Sequence, residues 1–95
     1  MIDLEEKYIV FIKNIILKYL PESRIYIFGS RATGHARKYS DVDVAVEDIS
    51  MTDKIQMQIE IELENSTLPY EVDVIDLNNI SERFKSQIVD DLIEI

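Results

Sequence analysis

Asp41 and Asp43, two residues apart in the run Asp41-Val42-Asp43-Val44-Ala45-Val46, are the side chains here best placed to do chemistry together. A strand puts every second side chain on one face, so both carboxylates point the same way. At a separation of about 5 Å and an effective dielectric near 20 they repel by roughly 3–4 kcal/mol. A cation between them removes that cost. The ligands are oxygens, with no cysteine in the chain and no histidine pattern nearby, which favours a hard ion, Mg²⁺ or Mn²⁺. Such ions are commonly held by one or two carboxylates together with substrate phosphates.

A place for phosphate lies just upstream. Both glycines of the chain, Gly29 and Gly34, fall in Phe28-Gly29-Ser30-Arg31-Ala32-Thr33-Gly34, and glycine is used where backbone turns tightly or approaches a ligand closely. A strand pattern over Ile25–Phe28 runs into Gly29-Ser30, after which a helix can open with amides that have no partner of their own. Arg31, Arg37 and Lys38 follow, with Arg24 before, so the turn is expected to carry a basic cluster.

Gly-Ser, ten residues, then Asp-x-Asp, placed strand, turn, helix, strand, resembles the signature of the DNA polymerase β-like nucleotidyltransferase superfamily, and within it the minimal nucleotidyltransferase (MNT) proteins. The resemblance covers nearly the whole chain and implies an α+β fold, a small mixed sheet of three or more strands packed by helices, palm-like. It also implies a third carboxylate, at Asp73 in Glu71-Val72-Asp73-Val74-Ile75-Asp76, with Glu71 as the substitute on the same face. On this pattern Asp41, Asp43 and Asp73 hold two Mg²⁺ ions, Gly29 and Ser30 hold the terminal phosphates, and Arg31, with Arg37 or Lys38, neutralises departing pyrophosphate. The implied reaction moves NMP, as AMP from ATP, to a hydroxyl. The implied partner is a HEPN-domain toxin modified on tyrosine, the MNT chain being its antitoxin. The rival reading is a silent binding module that neutralises such a partner by contact alone.

Ninety-five residues allow one domain, 1–95, with a thin margin of stability unless a partner covers part of it. Residues 1–40 carry net charge +3 and residues 41–95 carry −12, for −9 in all. Polynucleotide binding is built from many phosphate contacts, so this balance excludes a long nucleic acid and suits a nucleoside triphosphate. No apolar run approaches a membrane span, the N-terminus is acidic where a secretory signal is basic, and no cysteine invites a disulfide, so the cytoplasm is the expected compartment.

The elements that must position these groups follow from periodicity. Leu4, Tyr8, Phe11, Ile12, Ile15 and Tyr19 predict an amphipathic helix over 3–20, ended by Pro21, whose stripe is core rather than a base-stacking surface. A short helix over 30–36 and strands over 24–28 and 42–48 are expected, with Glu47 and Asp48 solvated. Residues 51–64 alternate apolar and polar like a strand, yet are rich in strong helix formers behind a Ser50-x-x-Asp53 box, and helix is the expectation. A helix there splits its apolar residues into the stripe Ile55, Ile59, Leu63 and the stripe Met57, Ile61. Only one can face the sheet, which makes the other a candidate contact with a second chain. Ile80, Phe84, Ile88 and Leu92, widened by Val89 and Ile93, predict a final helix capped by Asn79 or Ser81. His35, the lone histidine, has no companion at metal-ligand spacing.

Overall fold

The computed structural model describes residues 2–95. Its scaffold is a four-stranded mixed sheet in the order β3-β2-β1-β4. β1 (Arg24–Phe28) pairs antiparallel with β2 (Val42–Glu47), and β2 pairs parallel with β3 (Val72–Asp76). A parallel pair needs a crossover, and α3 (Asp53–Glu64) supplies it. β4 (Ile93–Glu94) adds two residues to the far edge, beside β1.

Alternation sorts the strand residues between two faces. Ile25, Ile27, Val42, Val44, Val46 and Val74 bury against α1 (Glu6–Tyr19) and α3, where they meet Ile12, Ile16 and Ile59. Fully burying an aliphatic side chain stabilises by about 1.5–3 kcal/mol, so this face holds most of the fold. The opposite face carries Tyr26, Phe28, Ala45 and Ile75, covered by Leu77, Ile80, Ile88 and Leu92 from the C-terminal segment. Asp43 and Asp73 lie on that second face by parity, at its end.

α1 starts at Glu6 rather than at residue 3, because the backbone of Asp3 is committed elsewhere: its N–H donates to Arg31 C=O (2.7 Å) and its C=O accepts from Arg31 Nη1 (2.8 Å). α2 is one turn, Ser30–Thr33, stopped by Gly34 at φ +82°. α3 is a helix, as its helix-forming residues require, but its cap is Thr52, whose hydroxyl accepts from Ile55 N–H at 3.1 Å, and not Ser50. Ile59 and Leu63 are buried while Met57 is 60% and Ile61 48% exposed, so the two stripes separate as expected. α4 (Glu82–Ile88), capped by Ser81, stops well short of Leu92. Val89–Asp91 tighten into a 3-10 turn, and Ile93 joins β4 instead of extending the helix face. Glu47 and Asp48 are half-buried rather than solvated, Asp48 accepting from Ser50 N–H at 2.7 Å. Among the described residues no helix is long and apolar enough to cross a membrane.

Candidate active site

The sheet register brings the acidic residues together. Asp43 on β2 is directly opposite Asp73 on β3 and, on its other side, opposite Phe28, the last residue of β1. Phe28 leads straight into Gly29. The chain turns there at φ +73°, a conformation that L side chains rarely adopt, and a Cβ on Gly29 would overlap the Asp43 Oδ2 and lie 3.2 Å from its carboxyl carbon. The backbone angle calls for glycine, and any side chain there would also have to displace the Asp43 carboxylate. Asp41, one residue ahead of β2, is exposed on the same side as Asp43.

Electrostatics register this convergence. The Asp43 carboxyl is pushed above its ordinary range, first by burial, then by the negative charges of Asp73 and Asp41. The ion pairs among the described residues are Lys7–Glu5 and Lys18–Glu62, so none of the three aspartates has a cationic side chain as its counter-ion. Nor do any three His, Cys, Asp or Glu side chains among them enclose an ion site on their own. An oxygen-only donor set that repels itself and is left open on one side fits a hard divalent cation whose shell a substrate phosphate completes.

Beside the aspartates, the α2 turn spends Gly29 C=O on the amides of Ala32 (3.0 Å) and Thr33 (3.1 Å). Among the described residues the Ser30 and Arg31 amides have no such partner, and with the Ser30 hydroxyl they are the turn's available donors.

Arg31 takes a different place from the one its sequence position suggests. It is buried at 4% exposure, and its guanidinium donates to the carbonyls of Ser40 (2.9 and 3.2 Å) and Asp3 (2.8 Å), with longer bonds to Arg37 and Lys38 at 3.4 Å. Its other side stacks on the Tyr70 ring, 4.4 Å from the centroid, and Tyr70 in turn meets Tyr8 edge-on at 5.5 Å. The side chain thus fixes the 37–40 loop that delivers Asp41, and its expected role against phosphate gives way to this positioning one. Ser40 completes the brace, its hydroxyl accepting from Arg37 N–H at 2.7 Å. Sequence reasoning gave Tyr70 no role. The only signal was an aromatic between Pro69 and the acidic strand.

Arg24 leaves the expected basic cluster as well. It starts β1 opposite Glu47, four residues from Phe28, about 13 Å away along an extended chain. Arg37 and Lys38 stay, exposed, on a cleft of about 500 Å³ that Tyr70 also lines. His35 only meets the Thr33 hydroxyl at 3.0 Å.

Comparison with known proteins agrees with this geometry. Residues 10–95 match the family described as polymerase beta, nucleotidyltransferase. The probable protein adenylyltransferase MntA of Haemophilus influenzae is 31% identical over 85 residues, spanning 88% of this chain and 75% of that protein. A toxin–antitoxin crystal structure with AMP-PNP aligns at 28% identity and a TM-score of 0.68, over 86% of this chain and 70% of that one. A variant MntA-HpeT toxin–antitoxin structure aligns at 26% identity and a TM-score of 0.75, over 97% and 72%. The chain belongs to the polymerase β nucleotidyltransferase family, among its minimal, MntA-like members.

Proposed function

We propose that this chain, as a single domain and in the cytoplasm, is an adenylyltransferase that moves AMP from ATP onto a tyrosine hydroxyl of a HEPN-type toxin and so acts as its antitoxin. The carrying observation is the Asp43–Asp73 rung lying against the Gly29 turn, with Asp41 alongside. Family membership supports the reaction class. The similarity to MntA and to complexes with AMP-PNP and a toxin supports the nucleotide and the partner.

In the transfer, the acceptor oxygen bonds to the α-phosphorus, the bond from that phosphorus to the bridging oxygen breaks, and pyrophosphate leaves. The acceptor proton passes to an Asp73 carboxylate oxygen. Gly29 lets the terminal phosphates approach the backbone, the Ser30 hydroxyl and the free turn amides donate to them, and exposed Arg37 and Lys38 lie near enough in sequence to meet the departing charge. Asp41, Asp43 and Asp73 would hold the Mg²⁺ pair, which when bound stabilises charge developing on the entering and leaving oxygens. The exposed Met57 and Ile61 flank of α3 is where we place the contact with a second chain.

Incubating the purified chain with its partner, Mg²⁺ and labelled ATP tests the reading. Asp41→Asn with Asp43→Asn should reduce label on the partner to background while the circular dichroism spectrum stays native. Labelling that survives the double substitution overturns the mechanism. A wild-type complex that forms and inhibits without any label supports the silent binding module instead.

A further inference from the structure

A second cleft, of about 490 Å³, lies between the C-terminal half of α3 and the start of β3, and Asp73 is among its lining residues. Glu60, Glu64 and Glu71 line it together with the apolar Leu63, Leu68 and Val72. No Lys or Arg lines it, and among the described residues none of the four acids has an ion-pair partner.

The backbone beside this cleft is unspent as well. β3 is an outer strand of the sheet. Val42 N–H donates to Glu71 C=O at 2.9 Å, which turns the main-chain groups of Glu71 and Asp73 toward β2 and those of Val72 and Val74 outward. Among the described residues α3 hydrogen-bonds to this edge once, where Gln56 Nε2 donates to Val74 C=O at 2.8 Å. Among the described residues the outward N–H and C=O of Val72, one step closer to the cleft's acids, have no hydrogen-bond partner. An open edge of this kind is a template for an added strand.

Resting on the transfer reading above, we infer that this cleft docks the acceptor as an extended, Lys- or Arg-bearing polypeptide segment that adds a strand to β3 at Val72 and so brings its hydroxyl side chain beside Asp73. The acids supply charge complementarity to the segment's cations, the Val72 edge supplies its backbone hydrogen bonds, and Leu63 and Leu68 offer apolar contact. Cross-strand neighbours on one rung have Cβ atoms about 4.5–5.5 Å apart, so a segment laid on this edge has a side chain within reach of Asp73. Tyr70 lines both this cleft and the one holding Arg37 and Lys38, which Asp3 and Glu5 also line.

The test uses the full chain, labelled with ¹⁵N, and two short synthetic peptides that carry one tyrosine flanked by lysines in the first and by glutamates in the second. The lysine peptide should move the Val72 and Glu71 amide resonances and accept AMP, with a KM about tenfold or more below that of the glutamate peptide. Glu60→Lys together with Glu64→Lys should raise the KM for the lysine peptide by a similar factor, and the wild-type peptide comparison stands even if that variant folds poorly. Equal binding or equal labelling of both peptides, or shifts confined to other elements, overturns the docking and leaves the transfer reading standing. Lysine-peptide binding at Val72 with no AMP transferred overturns the transfer reading and leaves the docking standing.

Discussion

A carboxylate facing another carboxylate on the same sheet rung destabilises the strand that carries it, since like charges directly opposite each other oppose pairing. Asp43 bears this cost in full view of Asp73 and under partial burial, and its carboxyl is pushed up by burial first and then by its acidic neighbours. The folded chain therefore binds that proton more tightly than the unfolded chain does. The stabilising contribution of the protonated group is complete below the ordinary aspartate pKa of 3.8 and is lost as pH rises through the higher folded value. At neutral pH Asp43 is thus a liability in the metal-free protein. Asp43→Asn should stabilise it there by about 1 kcal/mol, since Asp43 is only half-buried and solvent screens the repulsion. That corresponds to a melting-temperature rise of ~4–8 °C for a chain of this size. Melts in chelator should show this gain at pH 7 and show it shrinking as pH falls toward 4, while AMP transfer is abolished. A variant no more stable than the wild type at pH 7 would mean that the pair is not in electrostatic contact.

Between elements, the connection that decides the site is Arg31. One buried guanidinium ties the N-terminal strap at Asp3, the α2 turn, the 37–40 loop and the Tyr70 approach to β3 into one unit. Arg31→Ala leaves several inward carbonyls without a donor, each costing about 1–3 kcal/mol when buried, and removes the stack on Tyr70. The expected loss is about 2–4 kcal/mol by chemical denaturation, and Arg31→Lys should recover little of it, because an ammonium cannot span carbonyls that far apart in sequence. A loss below about 0.5 kcal/mol, the range of ordinary surface changes, would return Arg31 to the phosphate role its position suggests. The same residue shows where the sequence is readable and where it is not. The Gly29-Ser30 turn and the Asp41/Asp43 pair are legible in local spacing, Asp73 only through the family resemblance, and the helix over 53–64 through its helix-forming residues against a spacing that reads as strand. Burial of Arg31 depends on carbonyls from residues 3 and 40 arriving in space, and no local pattern announces that. β4 escaped for a similar reason: two residues carry no periodicity, and their strand character exists only through pairing with β1 across most of the chain. Of the four-residue repeat only Phe84 and Ile88 lie in α4; Ile80 precedes it and Leu92 follows the 3-10 turn, yet Ile80, Ile88 and Leu92 all pack on the second face of the sheet, because irregular backbone can present apolar side chains there as well as a helix can.

For the molecule as a whole, charge is the dominant unsatisfied quantity. Fifteen of its nineteen acids lie in residues 41–95 beside only three basic residues, and among the described residues a single ion pair, Lys18 with Glu62 at 2.6 Å, reaches that segment. Net charge far from zero keeps a chain soluble but opposes the compact state through self-repulsion. Two cationic effects should therefore be separable in melting experiments on the free chain. Raising NaCl should stabilise it gradually and without saturation, by screening exposed acids over a Debye length of about 10 Å at 0.1 M. Mg²⁺ added at constant ionic strength should stabilise it further and saturably, because binding to the folded state alone adds about 1.4 kcal/mol at ten times the dissociation constant. Only the second effect should vanish in the Asp41→Asn, Asp43→Asn chain, since only it depends on the carboxylates around Gly29. If the double variant keeps the saturable Mg²⁺ increment, the divalent ion is acting on the acidic surface at large and the three aspartates are not its seat.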